Sequence, residues 1–114
     1  MDKFTEQIIA FVKARDWEQF HNPKDIAISL SLEAAEVLEK FQWKSPKEID
    51  AYLHDSKQDL ADELVDVLYW VLLMSYYQDI NLSEAFTSKM RQNEKKYPIN
   101  KTFLIITQLF VSFL

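Results

Sequence analysis

Along most of this chain, apolar residues recur close to every 3.6 positions, the spacing of one face of an α-helix. Phe4, Ile8, Phe11, Val12 and Arg15 share such a face and predict a first helix. Asn22-Pro23 offers an N-cap followed by proline at the first helical position, so a second, apolar-rich helix is expected through Ile26 to Phe41, ending near Trp43. Ser45-Pro46-Lys47-Glu48 has the spacing of a capping box and predicts a short helix carrying Ile49, Tyr52 and Leu53, with a turn near Asp55-Ser56. Gln58 to Tyr77 holds Leu60, Leu64, Val67, Leu68, Val71 and Leu72, the pattern of a long helix at the centre of a bundle. Asn81 then caps a last helix that runs past Lys89 and Asn93 until Tyr97-Pro98 stops it.

Strand-like alternation is absent before the tail, and no repeat or low-complexity linker interrupts the helices. The expectation is all-α: an antiparallel helical bundle of four principal helices and one short one, assembling as an oligomer. A chain of 114 residues suits one domain. Residues 1–101 form that domain, and residues 102–114 form an apolar tail packed on the bundle or on a neighbouring subunit. The stretch from Phe103 to Leu114 is well short of the ~20 residues a membrane helix needs.

Composition removes whole classes of chemistry. The chain has no Gly, hence no Gly-rich phosphate loop, dinucleotide fingerprint or nucleophile elbow. It has no Cys, hence no thiol nucleophile or thiolate metal site. Its two histidines, His21 and His54, are too far apart in sequence for a His-Glu-x-x-His zinc helix. A net charge of −5 opposes binding to duplex nucleic acid. Met1-Asp2-Lys3-Phe4 opens directly into the amphipathic pattern rather than an apolar secretory stretch, so a cytoplasmic protein is expected, with no membrane partner.

Carboxylates remain as the candidate chemistry. Glu33 and Glu36 stand three apart in the second helix, and Glu63 and Asp66 repeat the spacing in the long one, so each pair shares a face. Asp59, Asp62, Glu63 and Asp66 together fall within an arc of about 100°. A solvated acidic face is the plain alternative. Against it, both pairs sit in the two most apolar helices, and few basic residues lie where they would compensate. Hard divalent ions, Mg²⁺ or Mn²⁺, suit such oxygen-only sites.

The order and spacing of several segments are similar to the all-α nucleotide pyrophosphohydrolases, the MazG and dCTP-pyrophosphatase group. They are Arg15-Asp16-Trp17-Glu18-Gln19-Phe20-His21-x-Pro23, Leu32-Glu33-Ala34-Ala35-Glu36, Phe41-Gln42-Trp43, Asp62-Glu63-Leu64-x-Asp66-Val67-Leu68 and Lys89-Met90-x-x-Asn93-x-x-Lys96-Tyr97-Pro98. The resemblance covers about residues 4 to 100. It implies hydrolysis of (deoxy)nucleoside triphosphates to monophosphate and pyrophosphate, with Glu33, Glu36, Glu63 and Asp66 holding one or two Mg²⁺ ions, Mn²⁺ being a possible substitute. Water attacks the α-phosphorus, with Glu36, and after it Glu33, as the group that positions it.

Trp17, His21, Trp43 and Trp70 are candidates for the nucleoside, by stacking and hydrogen bonding, although ordinary core packing is the plain alternative, above all for Trp70. Relatives carry aromatic residues around the base at the first and third of these positions, and the pattern resembles the dCTP branch. Lys89, Asn93 and Lys96 share a helix face that is either a phosphate cradle or a solvated basic face. The resemblance assigns them, with Tyr97, to the triphosphate end. It also implies a homodimer or homotetramer and a role in house-cleaning or control of the nucleotide pool. The apolar tail departs from the polar, basic continuation common in the group.

Two other classes remain open. A helical adaptor or oligomerisation module would use the acids only as a charged surface. A di-iron carboxylate protein calls for two Glu-x-x-His motifs, and the chain has one, Glu18-x-x-His21.

Overall fold

A computed structural model describes residues 2–99 of the chain, and all its regular elements there are helical. They are α1 (Lys3–Ala14), a 3₁₀ turn (Glu18–Phe20), α2 (Pro23–Glu39), α3 (Pro46–Asp55), α4 (Lys57–Tyr77) and α5 (Leu82–Lys96). The tail at residues 102–114 lies outside the described residues, as does the domain boundary expected at 101.

Local chemistry sets the helix starts. The Asn22 side chain accepts from the Asp25 amide at 2.9 Å, with Pro23 at the first turn. The capping box at Ser45 is complete: its Oγ accepts from the Glu48 amide at 3.2 Å, and Glu48 Oε1 accepts from the Ser45 amide at 3.1 Å. The Ser45 amide, and after it the Ser45 hydroxyl, hold the Glu48 carboxyl below the usual range. Asp2, an N-cap the periodicity did not single out, accepts from the Thr5 amide at 2.8 Å.

Helix α2 ends at Glu39, earlier than the apolar pattern suggests. Backbone bonds from Lys40 to Val37 and from Phe41 to Leu38 tighten the chain into turns that carry Phe41 to Trp43 out of the helix. Where a sharper reversal is needed and no glycine exists, aspartate takes the left-handed region: Asp16 (φ 55°) after α1 and Asp79 (φ 53°) after α4.

The chain divides into two compact units after Asp79. In the first, α4 touches α1, α2 and α3, and its pairing with α2 is the most extensive. Val12, Ile26, Leu72 and Leu73 are buried at its core. The bundle-centre expectation for α4 holds only toward its C-terminal half, since Leu64, Val65 and Leu68 stay 51%, 60% and 40% exposed, as do Ile28 and Leu32 of α2 at 48% and 61%. The second unit contains α5, capped by the Asn81 side chain on the Glu84 amide at 3.1 Å. Among the described residues no helix is long and apolar enough to cross a membrane.

Candidate functional site

The pairing of α2 with α4 brings the two acidic pairs together. Glu33, Glu36, Glu63 and Asp66 each offer a carboxylate oxygen, and these four atoms lie within 4.8 Å of one another. Glu33 and Glu63 are half-buried, and the Oε2 of each is shut away from solvent without a hydrogen-bond partner. Such groups carry an uncompensated desolvation cost. The close carboxyl of Glu33 pushes Glu36 above the usual carboxylate range, partly offset by its hydrogen bond with Glu63. Four converging carboxylates, two of which carry a buried and unpartnered oxygen, fit a hard divalent cation.

One edge of the cluster is held by a cation that spacing did not reveal. Lys40 Nζ lies 3.1 Å from Asp59 Oδ2 and 3.5 Å from Glu63 Oε1. The Tyr52 hydroxyl donates to the same Asp59 oxygen at 2.7 Å. These contacts lower the Asp59 pKa, Tyr52 being the larger cause, and the Asp59 hydrogen bond raises that of Lys40. Lys40 stands four residues after Glu36, a compensating spacing along α2, yet its partners are on α4.

A cleft of about 490 Å³ opens beside the acids, within the range of small-molecule sites. Glu33 and Asp66 form its polar side, and Phe11, Trp17, Tyr69 and Trp70 give it aromatic walls, with Gln7 and Ile8 of α1 completing it. The rings meet edge to face: Phe11 with Trp17 at 5.5 Å, Phe11 with Tyr69 at 6.4 Å and Tyr69 with Trp70 at 4.9 Å. Arg15 stacks its guanidinium 3.7 Å from the Phe11 ring centre.

Of the four aromatic candidates, Trp17 and Trp70 line this cleft. His21 stands against Trp70 at 5.9 Å, and its Nδ1 shares a 2.8 Å hydrogen bond with the Tyr77 hydroxyl. Trp43, 87% exposed in the turn after α2, does not line it. The sequence does not mark Phe11 or Tyr69 as lining, because a helical stripe reads equally as core and only the neighbouring helix shows which ring faces a cavity. Lys89, Asn93 and Lys96 lie along α5, and Tyr97 is its C-cap, with Lys96 Nζ 5.3 Å from the Tyr97 ring centre. Glu18 opens the 3₁₀ turn and His21 is occupied with Tyr77, so this Glu-x-x-His pair lacks the mid-helix setting of a di-iron ligand.

A family profile described as MazG-like matches residues 28–108. The dCTP pyrophosphatase 1 of Mus musculus is 37% identical over 92 residues, which cover 79% of this chain and 54% of the mouse protein. That of Homo sapiens is 36% identical over 90 residues, covering 77% and 53%. The chain therefore spans about half the length of these relatives. The crystal structure of a pyrophosphatase from Archaeoglobus fulgidus is similar with a TM-score of 0.76 and 39% identity, over 82% of this chain and 87% of that one.

Proposed function

The chain belongs to the MazG-like family, and from that premise we propose that it hydrolyses nucleoside triphosphates, dCTP-like deoxynucleotides foremost, to monophosphate and pyrophosphate. The observation that carries this reading is the convergence of Glu33, Glu36, Glu63 and Asp66 within 4.8 Å, with buried, unpartnered oxygens on Glu33 and Glu63. The names of the mammalian relatives and of the archaeal structure lend it support.

The four acids would hold Mg²⁺, or Mn²⁺ in its place. Such an ion, when bound, supplies electrostatic stabilisation of the charge that builds on the phosphates. Glu36, placed among the four converging acids, is the first candidate to position a water and accept its proton, with Glu33 the second. The neighbouring cleft is the seat for the nucleoside: Trp17 and Trp70, joined by Phe11 and Tyr69, offer aromatic surface to a base, and His21 packs edge to face on Trp70. Trp43 joins this group only in an assembly that covers its ring. Lys89, Asn93, Lys96 and Tyr97 are the candidates for the β- and γ-phosphates.

The apolar residues of α2 and α4 that stay exposed among the described residues support self-association as a homodimer or homotetramer. The wider role is control or cleansing of a cytoplasmic nucleotide pool, without duplex nucleic acid or membrane as partner. Incubation with each common nucleoside triphosphate and Mg²⁺, with products identified by mass, tests the reading. Monophosphate plus pyrophosphate is expected, dCTP reacting fastest. Diphosphate plus phosphate would refute the proposed cut, and no product from any nucleotide would favour an adaptor.

A further inference from the structure

Beside the four acids stands an ordered chain of polar groups to which the proposed reaction gives no role. It begins on α3 with the Tyr52 hydroxyl, which donates to Asp59 Oδ2 at 2.7 Å. The same oxygen receives Lys40 Nζ at 3.1 Å, and that ammonium reaches on to Glu63 Oε1 at 3.5 Å. Lys44 braces the start of the chain, its ammonium donating to the Lys40 carbonyl and lying 5.0 Å from the Tyr52 ring centre. The side chains of Lys40 and Glu63 are only 26% and 17% exposed, so solvent screens their contact less than it would a surface ion pair.

The two oxygens of Glu63 therefore have different surroundings. Oε1 faces Lys40, whereas Oε2 is buried and unpartnered. A carboxylate held by one oxygen loses much of its freedom to rotate, which fixes the direction of the other. Partners that orient a metal ligand in this way commonly affect affinity as strongly as some ligands do. We propose that Tyr52, Asp59 and Lys40 form an orienting relay that presents Glu63 to a divalent cation, with Lys40 as its positioning residue. The proposal rests on the reading of the four acids as a cation site.

Charge alone argues the opposite way. An ammonium beside a cation site repels the cation, so removing it should tighten binding. Removing Lys40 would also uncover the charge of Asp59, 3.1 Å from that ammonium, so charge predicts tighter cation binding where orientation predicts weaker, and the sign of the change separates the two.

The opposed signs give a decisive test: calorimetric titration of Mn²⁺ into the intact chain, without nucleotide. Lys40→Met is expected to weaken Mn²⁺ binding about tenfold despite the lost positive charge. Lys40→Arg, which keeps charge and reach, is expected to recover most of it. Tyr52→Phe changes no charge and is expected to weaken binding about threefold by releasing Asp59. Lys40→Met that binds Mn²⁺ as tightly as the parent, or more tightly, overturns the relay while leaving the acidic site standing. A parent chain that binds no Mn²⁺ overturns both. If Lys40→Met does not fold, Tyr52→Phe decides, and unchanged affinity there overturns the relay.

Discussion

Glu36 shows how a carboxylate crowded by its own kind burdens the fold at the place where a cation is proposed to bind. In the metal-free chain Glu36 is held above the usual carboxylate range chiefly by Glu33, so the folded state favours its protonated form. Its contribution to stability is therefore present below the ordinary glutamate pKa and lost as pH rises through the elevated folded value. Magnesium should restore what neutral pH removes: millimolar Mg²⁺ is expected to raise the melting temperature at pH 7.5, and the increment should shrink as pH falls into the carboxylate range. Asp59 works in the opposite sense, because Tyr52 and Lys40 depress its pKa. Its contribution is present above the ordinary aspartate pKa and lost as pH falls through the lowered value. Glu36→Gln and Asp66→Asn should each cut kcat by about 100-fold, measured by pyrophosphate release. Glu36→Gln should also raise the melting temperature of the metal-free chain, since one like charge leaves the cluster. Normal turnover in both variants would remove Glu36 and Asp66 from the chemistry.

At the scale of elements, short-range chemistry places the helices. The Ser45–Glu48 capping box starts α3, and α3 brings Tyr52 to Asp59, so a cap affects the edge of the site indirectly. Ser45→Ala should cost about 1 kcal/mol in urea denaturation, with turnover reduced less than in the acidic variants. Both the Asn22-Pro23 start and the Ser45-Pro46 start were legible from sequence, because a cap and its target amide lie within four residues. The end of α2 was less legible. Leu38, Phe41 and Trp43 continue a helical apolar rhythm, yet the backbone has already turned by Lys40, and the ammonium leaving there is the one that reaches Glu63.

At the scale of the whole molecule, the first unit buries few side chains fully and leaves Ile28, Leu32, Leu64, Val65 and Leu68 substantially exposed. The long apolar run of α4 thus serves two surfaces, an internal one near Leu72 and Leu73 and an external one nearer its start. Val65→Asp is expected to lower the mass of the particle measured by light scattering while the helical content holds. A variant with unchanged mass would mean that this stripe is not the contact between copies.

The sequence by itself determined the helical class, the order of the α-helices, the N-caps at Asn22, Ser45 and Asn81 and the four acids on two helix faces, because periodicity and capping act within one or two turns. Tertiary structure decided what those faces meet. Whether Glu33 confronts Glu63 or solvent depends on the rotation and offset of α2 against α4, and no local pattern encodes that. The packing of α1 on α4 set Phe11 and Tyr69 into the cleft, while the turn after α2 left Trp43 outside it. The pairing of α2 with α4 also joined Lys40 to acids on another helix, a contact that exists only once two distant segments have packed.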